Sequence, residues 1–169
     1  MRKAICTTGS RSQRMRRRHL TGSLDLTMAR RLAENVGIAF MGDTKVGPFD
    51  IDHATAQIML TATGNPNGRP NSDVVRPWAN NLDITRRPRK MWIIDFGVGT
   101  PEEEAALYEM PFEHIREHVK PVRTTARSGD RTGVSWWLHQ RPRPAMRDAI
   151  DRLPRFLATP TVAKHRRFV

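Results

Sequence analysis

At 169 residues the chain is long enough to bury one core of ordinary size and short for a two-domain enzyme. Its 29 lysines and arginines against 17 aspartates and glutamates leave a net charge of +12, which repels cationic partners and attracts a polyanion such as nucleic acid. The single Cys6 excludes an internal disulfide framework and a cysteine-rich zinc site, no stretch approaches the roughly 18 apolar residues of a membrane helix, and no apolar run follows the N-terminal arginines, so a cytoplasmic protein without a membrane partner is expected.

Residues 1–18 hold seven basic residues, no acidic ones and few large apolar ones, a composition that does not offset the entropy of ordering. Residues 1–23 are therefore expected to be a disordered basic arm, read as a solvated tail and contributing no site residue. Leu24, Met28, Leu32 and Val36 share one helical face, and Gly37 closes that helix in the left-handed conformation. Ile38, Ala39, Phe40 and Met41 then read as a strand, followed by a turn-rich connection from Gly42 to Pro48. Asp52 is the expected N-cap of a second helix with Ala56, Met59 and Leu60 facing inward. Residues 63–72 are almost all loop formers and predict an exposed loop.

Trp92-Ile93-Ile94-Asp95-Phe96 reads as a central strand bounded by Gly97, with Trp92 and Phe96 buried on one face; burial of Ile93 as well would mean a strand covered on both faces. Thr100-Pro101-Glu102-Glu103 predicts a capping box, Pro at the first helical position and acidic groups at the positive end of the helix dipole. Tyr108, Phe112, Ile115 and Val119 continue one apolar stripe that Pro111 kinks or restarts. Met146, Ala149, Ile150 and Leu153 predict a last helix stopped by Pro154, and residues 167–169 look like a strand. Helices mixed with short strands imply an α+β fold.

Several strings imitate chemistry. Gly97 and Gly99 after a strand look like a loop for S-adenosylmethionine, but the region one unit further on is basic, around His118, Lys120 and Arg123, where that fold wants an acidic residue for the ribose. A small complete methyltransferase built on this loop is kept as the rival reading. His114 and His118 lack the adjacent Glu of a zincin helix, and Asp95 is better read as a strand residue pairing with a nearby arginine. No catalytic, cofactor-binding or metal-ligating residue is assigned.

The informative stretch runs from Arg69 to Lys90. Arg69, Arg76, Arg86, Arg87, Arg89 and Lys90 are interleaved with Asn71, Trp78, Asn80, Asn81 and Asp83, a mixture suited to phosphate, guanine and adenine contacts in double-stranded DNA. The competing reading is that Asp73, Asp83 and Asp95 take up some of these arginines in internal salt bridges. A second basic set, including Arg141, Arg143, Arg147, Lys164, His165, Arg166 and Arg167, surrounds the last helix. Lys164 and Arg166 join the DNA-contact candidates, whereas the acidic residues 102–117 are expected to face away from DNA.

Taken in order, Asn65-Pro66-Asn67-Gly68-Arg69-Pro70-Asn71-Ser72-Asp73-Val74-Val75-Arg76-Pro77-Trp78, Leu82-Asp83-Ile84-Thr85-Arg86-Arg87-Pro88-Arg89 and Trp92-Ile93-Ile94-Asp95-Phe96-Gly97 resemble the MmeI-type DNA methyltransferases, bifunctional restriction–modification enzymes that methylate adenine. Glu102-Glu103-Glu104-Ala105-Ala106-Leu107-Tyr108-Glu109, Trp136-Trp137-Leu138 and Thr159-Pro160-Thr161-Val162-Ala163-Lys164-His165-Arg166 continue the resemblance over roughly residues 31–169. It implies that residues 24–169 are part of a target-recognition region. The family's S-adenosylmethionine loop, base-gripping motif and nuclease have no counterpart here. The chain is accordingly expected to be an inactive recognition fragment, with double-stranded DNA and a separately encoded methyltransferase domain as partners, or else a gene remnant.

Overall fold

The computed structural model describes residue 30 and residues 33–125, 135–165 and 167–169. The basic arm, most of the helix expected from Leu24, and Arg166 lie outside them. The described residues divide into two units, one up to Ala39 and one from Phe40. In the first, a 3-10 turn at Ala33–Asn35 is closed by the Val36 N–H on the Ala33 carbonyl at 3.1 Å, and Gly37 follows at φ +79°, the left-handed conformation expected of it. The strand expected at Ile38 to Met41 does not form. Ile38, Phe40 and Met41 are exposed, and none of these residues enters the sheet that would turn an apolar run into a strand.

The second unit is α+β. Strands β1 (Asp50–Ile51), β2 (Val75–Trp78) and β3 (Met91–Ile94) form an antiparallel sheet in the order β1-β3-β2. Ile51 pairs with Trp92, and Val75 with Ile94. The ladder runs on through Ile94 N–H to the Phe49 carbonyl at 3.0 Å and Asp95 N–H to the Val74 carbonyl at 2.8 Å. β2 contains Pro77, and as an edge strand it has one side on which a missing N–H costs nothing. β3 is central, as its β-forming residues imply. Ile93 and Ile94 are both buried, so the strand is covered on both faces, with Phe96 buried just beyond it and Trp92 half-buried against His53.

Asp52 caps α1 (His53–Thr61), its carboxylate accepting from Thr55 N–H at 2.7 Å, and Ala56 and Met59 face the core. The loop after α1 is pinned from within. Asn71, in a 3-10 turn at Asn71–Asp73, is 1% exposed; its amide donates to the Met59 carbonyl at 2.8 Å and accepts from Asn65 at 2.8 Å. Asn71→Ala removes both partners and leaves a buried carbonyl without a donor, so a loss of about 2 kcal/mol is expected. Urea unfolding of the variant measures it, and an unchanged midpoint would contradict the role.

The capping box expected at Thr100 is replaced by a different arrangement. α3 (Glu102–Ala106) has Pro101 rather than Thr100 as its N-cap and no side-chain cap, because the Thr100 hydroxyl is committed to the Phe96 carbonyl. The three glutamates do occupy the first turn. The chain then restarts as α4 (Glu109–His118), with Pro111 in its first turn where an N–H is dispensable. Tyr108, Ile115 and Val119 are buried and Phe112 half-buried along the expected stripe, and α5 (Lys120–Thr125) follows. α6 (Pro144–Ile150) ends before Pro154, but none of its residues is fully buried and Leu153 is 53% exposed. Residues 167–169 are not a strand, although Val169 exchanges two backbone hydrogen bonds with Ala158. No helix among the described residues is long and apolar enough to cross a membrane.

Candidate nucleic-acid interface

The basic stretch is built on β2, on α2 (Asn81–Thr85) and on the connection into β3. Asn80 caps α2, its side chain accepting from Leu82 N–H at 2.8 Å while the Asp83 carboxylate accepts from Asn80 N–H at 2.9 Å. Asp83 then turns the chain back toward the sheet: it also accepts from Arg89 N–H at 2.9 Å and from the Arg89 guanidinium at 3.1 and 2.9 Å. The bond from Arg89 is the largest of the effects that hold the Asp83 carboxyl well below the usual carboxylate range, outweighing burial.

Stability from a depressed carboxylate is fully present above its unfolded value of about 3.9 and is lost as pH falls below that. The melting temperature should therefore drop between about pH 4 and pH 3 in the parent, with a smaller drop in Asp83→Asn. Identical acid dependence in the two proteins would contradict this.

The ten sequence candidates separate into groups. Arg89 is held by Asp83 and lies over the Trp78 ring at 5.8 Å. Arg69 pairs with Asp73 at 2.8 Å. Asn80 is spent on the helix cap, and Asn71 is not at the surface at all, which removes it from the contact face because its amide serves the core. Arg76 is exposed and donates to the Asp73 carbonyl at 3.2 Å, and among the described residues no carboxylate pairs with its charge. Arg86, Arg87 and Lys90 are exposed, and among the described residues no ion pair or side-chain hydrogen bond engages them. Lys90 has a left-handed φ of +56° at the entry to β3. Lys164 is exposed, and Asn81 donates to the Val162 carbonyl at 2.9 Å, which ties the segment before Lys164 to the start of α2.

Beside β2, the structure brings Arg69 and Arg76 together with Arg147 of α6 around an open hollow of about 200 Å³ whose wall also carries Asp73, Asp95, Thr100 and Tyr108. Burial pushes the Tyr108 hydroxyl up from its ordinary value. Arg147 bonds Asp95 at 2.7 Å, the arginine partner expected for that residue, and also pairs with Asp43. Burial works against the charged form of Asp95, but His139, Arg147 and the Gly97 N–H together hold it low.

His139 escaped the sequence reading because one histidine in a Trp-Trp-Leu-His string carries no spacing signal. The Gly97–Gly99 turn is shaped by the Asp95 carboxylate, which accepts from Gly97 N–H at 2.9 Å. β3 runs antiparallel to both neighbours, unlike the parallel sheet that carries a nucleotide-type cofactor loop. Comparisons with family models, curated proteins and solved structures find no match to this chain.

Proposed function

We propose that this chain is a DNA-contacting part of the target-recognition region of an adenine-specific, MmeI-type DNA methyltransferase, without methyl-transfer chemistry of its own. The observation that carries the reading is the exposed group of Arg76, Arg86, Arg87 and Lys90, whose charges meet no carboxylate among the described residues while the neighbouring Arg69 and Arg89 are already paired. Cations left unpaired beside a rigid sheet are suited to phosphates, which supply most protein–DNA hydrogen bonds. The net charge of +12 adds long-range attraction. In the full-length family the cofactor is S-adenosylmethionine, held by a methyltransferase domain.

Fluorescence anisotropy with a labelled duplex tests the reading. Four phosphate contacts imply a log–log salt slope of about −3.6. Sequence preference should be weak, because phosphate contacts carry no base information. Absence of binding at low salt, or methyl transfer from S-adenosylmethionine to mixed genomic DNA by this chain alone, would overturn it.

A further inference from the structure

We propose that Asp43, Asp95 and His139 form a binding site for a divalent first-row metal ion of the kind that takes nitrogen and oxygen ligands, such as Zn²⁺. The three residues come from separate parts of the chain: the segment before β1, the end of β3 and the stretch after Trp136-Trp137-Leu138. Each offers a ligand atom, and these atoms lie within 4.8 Å of one another.

His139 is the observation that turns an acidic pair into a site. Its side chain is 2% exposed, and Nε2 lies 3.1 Å from the Ile94 carbonyl. A carbonyl only accepts, so Nε2 carries the proton there, and Nδ1 is the nitrogen whose lone pair can take a metal ion in place of a proton. Nδ1 is buried and has no hydrogen-bond partner. Its polar neighbours are Asp43 Oδ2 and Asp95 Oδ1, both at 3.8 Å and both acceptors. A proton on Nδ1 would not close that gap, since 3.8 Å exceeds the length of an N–H···O bond. A point equidistant from three atoms so separated lies about 2–2.5 Å from each, the range of metal–nitrogen and metal–oxygen bonds.

The surroundings favour an ion in the same place. Arg147 takes Oδ2 of Asp95 at 2.7 Å and Oδ2 of Asp43, orienting both carboxylates. One guanidinium against two carboxylates leaves the cluster with a net negative charge, which attracts a cation. The Ile94 carbonyl on Nε2 and the Gly97 N–H on Asp95 Oδ1 are the outer bonds that hold metal ligands in orientation. Asp95 and Arg147 also line the hollow beside Arg69 and Arg76.

The test uses the full chain stripped with chelator and then titrated with Zn²⁺ by calorimetry, and with Co²⁺ by visible absorption. The expected result is one equivalent bound with micromolar or better affinity, a raised melting temperature, and a Co²⁺ spectrum carrying a nitrogen ligand. His139→Gln and Asp95→Asn should each weaken binding at least tenfold. Asp43→Asn, at a partly exposed carboxylate whose loss leaves the core intact, should do the same if the buried variants fail to fold. The stacked pair His114 and His118, 4.2 Å apart on α4, is the competing metal ligand, and a His114→Ala/His118→Ala variant should bind as the parent does. No saturable binding by the parent, or binding that survives Asp43→Asn but disappears in the His114/His118 variant, would overturn the proposal.

Discussion

Arg123→Ala is expected to be the most destabilising single change in the chain, by about 4–5 kcal/mol, because it strips donors from five buried or half-buried carbonyls at once. Arg123 is 3% exposed, and among the described residues no carboxylate pairs with it. Its guanidinium instead donates to the carbonyls of Lys45 at 3.0 Å, Val46 at 2.9 Å, Ser135 at 3.1 Å, Trp136 at 3.0 Å and Leu138. It lies 5.2 Å from the centre of the Phe49 ring, itself fully buried.

These bonds join α5, the approach to β1 and the Trp136 segment. They also fasten Val46, a β-branched residue at φ +49° where such residues are strained. Gly47 beside it, at φ +117°, has Val119 only 3.2 Å from where a Cβ would stand. Burial lowers the Arg123 pKa from its ordinary value without approaching neutrality, so the group is a structural cation. A domain with total stability of about 5–15 kcal/mol loses much of it in Arg123→Ala, and a fall in melting temperature of more than about 10 °C is expected. Arg123→Lys keeps the charge but offers three donors without the planar fork, and should recover less than half of the loss. A melting temperature within a few degrees of the parent in Arg123→Ala would show that water replaces the guanidinium.

The second large effect separates contact arginines from structural ones. Arg86→Ala/Arg87→Ala should flatten the salt slope by about 1.8, since each phosphate contact contributes about 0.9. Raising salt from about 50 to 200 mM then weakens the parent about 150-fold and the double variant about 12-fold. Its melting temperature should not move, because neither side chain bonds within the described residues.

Arg89→Ala should behave in the opposite way. Asp83, 9% exposed, loses its guanidinium partner, so stability falls by about 2 kcal/mol while the salt slope stays near that of the parent. An unchanged salt slope in the double variant would remove Arg86 and Arg87 from the DNA interface. A flattened slope in Arg89→Ala with an intact melting temperature would reverse the assignment of the two classes.

Local chemistry was readable where one residue dictates its neighbours. Asp52 caps a helix because a carboxylate three residues before Thr55 N–H has a single good partner, and β3 is central because Trp92, Ile93 and Ile94 favour a strand and leave little polar surface for solvent. The restart at Pro111 and the stripe from Tyr108 to Val119 follow from proline geometry and helical period. Misreadings arose where a side chain had two partners to choose from. Thr100 had the α3 N-terminus and the Phe96 carbonyl within reach, and Asn71 looked like a loop contact until Met59 was placed over it.

By itself, then, the sequence determined the positions of most helices and of the central strand, the excess of positive charge and the stretch of chain that carries it, because these depend on composition, period and capping within a few residues. Which arginines are spent inside the molecule and which remain for a partner was decided only by the tertiary structure. Asp83 reaches Arg89 across a turn, Arg147 reaches Asp43 over a separation of 104 residues, and Arg123 gathers carbonyls from segments up to 78 residues away. Charge pairing depends on distance in space through a low-dielectric interior, and nothing in the order of residues along the chain encodes that distance.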